Sequence, residues 1–147
     1  MDPAYPPVGF YYKVNFISYP GKQEGNFQDV TGISVSITPE EVREGGENQF
    51  VYKLPSPPKY SNLVLRRGML IGSVVTEWVT KSLSTFTFKP TTVVVMLLDE
   101  KGKPLSSWKF YGVYPVKMEV SGLKAMGAGE IVIETLELAY KYFETTK

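Results

Sequence analysis

A mainly β fold is what this sequence predicts: a small barrel or sandwich of six to seven strands, with one short helix and a long extended arm. Three observations carry that reading. Strict apolar/polar alternation recurs in separate runs along the chain, which is the period of a strand lying on a core. Aromatic residues make up 14% of the chain, ten Tyr and eight Phe among them, and with the many Val, Ile and Thr they suit a pleated surface. A single stretch carries apolar residues at helical spacing. The 147 residues are enough for one domain with a sizeable core, taken as 1–147, and not comfortably enough for two.

The first strand is read from Phe10 to Tyr19, with Phe10, Tyr12, Val14 and Phe16 alternating against Tyr11, Lys13, Asn15 and Ile17. A Pro-rich lead, Met1 to Gly9, precedes it. Pro20-Gly21 opens a turn. Phe27 to Ile37 is the second strand, interrupted at Thr31-Gly32, where a glycine marks a bulge or bend. Leu63, Leu65, Arg67 and Met69 alternate against Val64, Arg66 and Gly68 over Asn62 to Ile71. Arg67 therefore falls on an apolar face. Either it snorkels at the sheet rim, or it forms a buried ion pair across a subunit contact.

Ser73 to Leu83 is the helix, with Ser73 as N-cap and an apolar stripe of Val74, Val75, Trp78, Val79 and Leu83. Trp78 is expected in the core; stacking on a ligand is its alternative role. Thr91 to Leu98 is a near-continuous apolar run, as in a strand covered on both faces. Asp99 to Pro104 is a hairpin turn, from which Ser106 to Tyr111 pairs back with Trp108 and Phe110 on one face. Val113 to Val120 carries Pro115, which suits a strand start or a bulge. Gly122 to Gly129 reads as loop. Glu130 to Phe143 contains good helix formers, but Val132, Glu134, Leu136, Leu138 and Tyr140 alternate, so a strand is favoured. The expected core includes Leu63, Leu65, Trp78, Val94, Leu97, Trp108, Phe110, Leu136 and Leu138.

Between the second and third strands lies a polar, Gly/Pro-punctuated excursion, 39–62. It contains Arg43-Glu44-Gly45-Gly46, a strand-like Phe50 to Leu54 and the break Pro55-Ser56-Pro57-Pro58. Long loops without a task are uncommon in compact domains. An arm of this kind is expected to lie on a neighbouring copy. The candidate interface residues are Arg43, Glu44, Gly45, Gly46, Phe50, Tyr52, Lys53, Leu54 and Pro55, together with Arg67.

Chemistry is scarce. The chain has no Cys and no His, which removes thiolate nucleophiles, Cys- and His-ligated metals and every catalytic site built on imidazole. The paired acids Glu40-Glu41 and Asp99-Glu100 sit in turn-bounded loops and do not define a cleft, and Glu134 and Glu137 have opposite strand parity. Gly45-Gly46 lacks the phosphate-loop pattern. No catalytic, cofactor or metal residues are assigned. Sixteen basic and fifteen acidic residues leave a net charge of +1, without the concentrated basic face of a nucleic-acid binder. No secretory signal is visible, and no run approaches the roughly 20 apolar residues of a membrane helix. The expectation is synthesis in the cytoplasm with no stable membrane insertion.

Taken in order, several segments carry a family resemblance. They are Phe27-Gln28-Asp29-Val30-Thr31-Gly32, Arg43-Glu44-Gly45-Gly46, Lys53-Leu54-Pro55, Leu63 to Gly68, Trp78, Leu97-Leu98-Asp99-Glu100, Trp108, Tyr114-Pro115-Val116-Lys117 and Glu134 to Ala139. With them the chain resembles the inner tube proteins of contractile phage tails and contractile injection systems, the T4-like tail tube family. It departs from the pattern at Ser56-Pro57, where the family often has Gly, and at Tyr140, where many members have His. The resemblance implies a fold similar to Hcp-type tube proteins, and hexameric rings that stack into a hollow tube, with arm 39–62 reaching adjacent subunits. It implies a sheath that drives the tube through a target envelope, baseplate or hub and terminator partners, and DNA or protein cargo in the lumen. The mature location would be a phage tail or an extracellular or cell-anchored injection particle. An Hcp-like secretion-system tube protein and a monomeric β-sandwich binding module are the alternatives; an enzyme is the weakest reading.

Overall fold

Alternation becomes burial strand by strand. The computed structural model describes residues 11–18, 26–37, 39–43, 51–54, 56–69, 72–125 and 129–146, with side chains left out at 26, 40–43, 51–54, 123–125 and 129–131. In chain order the strands are β1 (Tyr11–Phe16), β2 (Asn26–Phe27), β3 (Asp29–Thr31), β4 (Val35–Ser36), β5 (Glu40–Arg43), β6 (Val51–Leu54), β7 (Lys59–Tyr60) and β8 (Leu63–Gly68). Helix α1 (Val74–Thr85) follows, then β9 (Thr91–Leu98), β10 (Pro104–Ala125), β11 (Gly129–Ala139) and β12 (Tyr142–Thr145).

The principal sheet runs β2-β1-β9-β10-β11-β8-β3, with β12 beside β10. Its two ends are joined by one residue of chain: β2 and β3 flank Gln28, whose N–H donates to the Arg66 carbonyl at 2.8 Å. The sheet therefore curls into a barrel with two corners. One is Gln28; the other is β10, which pairs with β9 over Pro104–Val113 and with β11 over Tyr114–Ala125. Gly112, at φ +65°, sits where the β9 ladder shifts register, a bulge that lets the strand turn from one wall to the other.

Two layers of inward residues fill the barrel. Val14, Val95 and Trp108 share one row, and Phe16, Val93 and Phe110 the next. On the opposite wall, Val30, Leu65, Leu136 and Met118 align, as do Leu63 and Leu138. Helix α1 closes the remaining gap with Val75, Trp78 and Val79. Trp78 meets Phe16 edge-on, ring centroids 6.1 Å apart, and its indole N–H donates to the Lys89 carbonyl at 3.3 Å. Ser73 caps the helix as expected, accepting from the Thr76 N–H at 3.1 Å.

Several expectations change. The strands expected at Ser106–Tyr111 and Val113–Val120 are one 22-residue strand, β10, and the expected loop at Gly122–Gly129 is strand as far as Ala125 and again from Gly129. Of the expected core, Leu63, Leu65, Trp78, Phe110, Leu136 and Leu138 are buried, and Trp108 is half-buried against the core. Val94 and Leu97 are half-buried instead. Val94 points to the outer side of β9, opposite Val93 and Val95, and Leu97 lies at the barrel rim between the half-buried Tyr12 and Ser106. So β9 is covered on one face by this chain, not on both.

Gly32, between β3 and β4, has φ +92°, and a Cβ there would lie 1.9 Å from the Asn62 carbonyl oxygen. The clash is with backbone and cannot be relieved by a rotamer. Gly32→Ala is expected to destabilise the protein by about 3 kcal/mol, read as a lowered midpoint in urea denaturation. A loss below about 0.5 kcal/mol would show that the β3–β4 turn can move away from Asn62.

Candidate functional site

Among the described residues, the barrel interior holds one charged cluster. Arg67 on β8 and Glu134 on β11 are opposite one another in the ladder, and both are buried, with relative exposures of 2% and 0%. The Arg67 Nε donates to Glu134 Oε2 at 3.0 Å. Its Nη2 donates to Ser73 Oγ at 2.8 Å and to Thr76 Oγ1 at 3.2 Å. Thr76 Oγ1 in turn donates to Glu134 Oε1. The guanidinium lies over the Phe27 ring, 4.7 Å from its centroid. Two strands, the helix N-terminus and β2 thus converge on one ion pair.

The snorkelling alternative for Arg67 is corrected: the side chain is buried, and the carboxylate it pairs with is in its own chain. Glu134 went unassigned at the sequence level, although its parity with Leu136 and Leu138 placed it on the inward face. Glu137, on the outer face, accepts from Asn62 Nδ2 at 3.1 Å.

The arm leaves the barrel as a ribbon. At its root β4 pairs with β7, and Ser34 Oγ donates to Ser61 Oγ at 2.7 Å. Further out β5 pairs with β6, from Glu40 opposite Leu54 to Arg43 opposite Val51. The acidic Glu40-Glu41 stretch, expected as a strand-ending loop, is therefore strand. Of the candidate interface residues, Arg43 lies on β5, and Tyr52, Lys53 and Leu54 on β6; Glu44, Gly45, Gly46, Phe50 and Pro55 fall outside the described residues. Tyr60 anchors the root, packing edge-on against Tyr140 at 5.8 Å and Phe143 at 5.4 Å, while Phe110 lies beneath both.

On the β10-β11-β8-β3 wall two lengths of strand have an open side among the described residues. β10 pairs with nothing on its β9 side beyond Val113, and β3 pairs only with β8. The outer face of the wall between them mixes charges: Asp29, Arg66, Thr135 and Glu119 form one row, and Thr31, Val64, Glu137 and Lys117 the next. An open cavity of about 450 Å³ runs along α1, lined by Glu77, Trp78, Lys81, Thr87 and Lys89 among others.

Two outcomes follow from the buried groups. Arg67→Met strands a buried carboxylate and is expected to cost 3–5 kcal/mol, roughly, in urea denaturation, whereas adding Glu134→Leu should recover most of it. Equal losses in the single and double variants would mean the pair does not act as a unit. The Tyr140 hydroxyl is buried without a hydrogen-bond partner among the described residues. Burial, with Tyr60 adding to it, pushes this group up to about 12, against ~10 in an unfolded chain. Its contribution to stability is therefore fully present below pH ~10 and is lost as pH climbs through about 12. Over that window the native protein should lose stability faster than Tyr140→Phe, the two being similar at neutral pH. Parallel curves would contradict this.

The family model described as T4-like virus tail tube protein gp19 matches residues 8–144. Among solved structures, a chain in the cryo-EM structure of the anti-feeding prophage baseplate, 6-fold symmetrised, superposes with a TM-score of 0.75 at 28% identity, covering 99% of this chain and 97% of that one. A chain of the PVC sheath–tube complex, an extracellular contractile injection system in its extended state, gives 0.73 at 19% identity, with 98% and 93% covered. Hcp1 from Flavobacterium johnsoniae gives 0.55 at 13% identity, with 93% and 95% covered. The last two are likenesses of fold. No curated protein matches the sequence. With 137 consecutive positions (8–144) matched by one family, a barrel of the same fold and an arm standing off it, the chain belongs to the T4-like tail tube protein family.

Proposed function

We propose that this chain is a structural subunit, not an enzyme, of the inner tube of a contractile tail or injection particle, in which six copies close into a ring and rings stack into a hollow tube. The observation that carries this is the pair of open strand edges on the β10-β11-β8-β3 wall. Strand direction alternates across that wall, so β3 of one copy would meet β10 of the next antiparallel. Such a contact is head-to-tail: each copy uses one edge for each neighbour, and the series ends only by closing on itself. Closure would remove both open edges, which otherwise invite indiscriminate pairing.

The walls so joined would line the lumen with the mixed-charge outer face. A polar face of both signs suits a water-filled bore that conducts or carries DNA or protein cargo. Beyond its root the arm, 39–62, pairs β5 with β6 and with no strand of the barrel among the described residues, which supports its outer part lying on adjacent subunits and locking ring to ring. A sheath around the tube, a baseplate or hub below and a terminator above are the partners this role requires, with sheath contraction driving the tube through a target envelope. The subunit is made in the cytoplasm and ends in the particle.

Negative-stain electron microscopy of the purified protein, with mass photometry on the same sample, tests the reading. Rings or tubes with a central hole are expected. A uniform monomer at every concentration would favour a monomeric binding module. Deletion of Arg43 to Pro55 should leave a folded barrel that forms monomers or rings but no tubes; tubes of normal length from that variant would remove the arm from ring stacking.

A further inference from the structure

At the end of α1, Phe86 adopts φ 53° and ψ 39°, the left-handed conformation that glycine or asparagine takes most readily at this position. Its ring is 82% exposed, the highest value among the large hydrophobic residues described. It does not stand alone. Phe86 meets Phe88 edge-on at 5.1 Å, and Phe88 meets Tyr114 at 5.7 Å. Tyr114 follows Val113, the last residue that β9 pairs, and Val116 beyond it is also exposed. An aromatic ridge thus runs from the helix end to the point where the open edge of β10 begins. A strained backbone holding an apolar ring in water, continuous with unpaired strand, marks a surface that is covered in an assembly.

The other edge of the same wall carries a counterpart. Past β3 and the Gly32 turn, Val35 and Ile37 are exposed at 49% and 53%. Because β3 runs opposite to β10, the residues that follow β3 and the residues that begin the open half of β10 lie at the same end of the wall. Antiparallel meeting of those two edges brings apolar surface to apolar surface. We infer that the Phe86–Phe88–Tyr114 ridge of one copy seats on Val35 and Ile37 of the next copy in the ring, and that this seating fixes the register of the edge contact. The inference rests on the ring reading above and adds the residues that make the contact.

The chain contains no cysteine, so introduced thiols report without background. The double variant Val35→Cys/Phe86→Cys, treated with a short bismaleimide, should give a ladder of covalent multimers that stops at the ring. Neither single variant should give a ladder, because the contact is head-to-tail. Phe86→Ser should melt as the native protein does, since the ring is exposed in the subunit, yet require roughly tenfold more protein for half-maximal ring formation in mass photometry. Rings that form without cross-links, or at native concentrations with Phe86→Ser, would overturn the inference and leave the ring reading standing; the ridge would then face another partner, such as a sheath segment. Monomers at every concentration, with no cross-links, would remove the ring reading and this inference together.

Discussion

The Arg67–Glu134 pair is the constraint around which this barrel is arranged. Two opposite charges are held out of water by β8, β11, the first turn of α1 and the ring of Phe27. Taking them from solvent is expensive, and their mutual attraction offsets that cost only while the geometry holds. The pair is thus better understood as selecting one arrangement than as adding net stability. Slipping β8 by one residue against β11 would turn Arg67 out to the solvent face and strand Glu134. Slipping it by two would set the guanidinium opposite Leu136 or Val132. Because Ser73 is both helix cap and acceptor from Arg67, the same pair fixes where α1 begins. The helix that plugs the barrel is therefore tied to the strand register beneath it.

Local signals in the sequence were legible where structure is local. Thr91–Leu98 has the same limits as expected, and Ser73 caps a helix that runs two residues past the expected Leu83. The inward parity of Leu63, Leu65 and Arg67, and separately of Glu134, Leu136 and Leu138, could be read off the alternation. That Arg67 and Glu134 face each other could not, because 67 positions separate them and only the strand ladder brings them together. The same limit applies to the acidic residues of β5. Nothing in Glu40-Glu41 favours a strand; pairing with Val51–Leu54 supplies it. Val94 shows a third case. An apolar run indicates that both faces of a strand tolerate burial, but not whether this chain provides the cover.

The proposed assembly into a tube would account for several features that folding alone does not require. A barrel that only had to fold would be served by a polar outer face at Val35, Ile37 and Phe86, by a glycine in place of Phe86, and by short, charged edges. Here the inside is closed and well filled, while apolar residues and unpaired backbone gather at the two edges of one wall. The edge alternation, the ribbon-like arm and the mixed-charge face lie outside that filled interior. The interior residues thus account for the fold, and the residues that the interior does not use are those on which the proposed assembly draws.

The 22 residues of β10 belong to both walls of the barrel. Elsewhere the chain passes between the walls only through short steps, at Gln28 and from β11 to β12, and through the connections of α1, beside side-chain packing. Along β10 the two walls share one continuous strand. A force that pushes one wall lengthwise past the other must therefore stretch a polypeptide chain rather than unzip a ladder of hydrogen bonds. A hollow shaft assembled from such units would transmit axial thrust between its outer and inner layers through unbroken main chain, with stiffness set by the strand and not by the surfaces in contact.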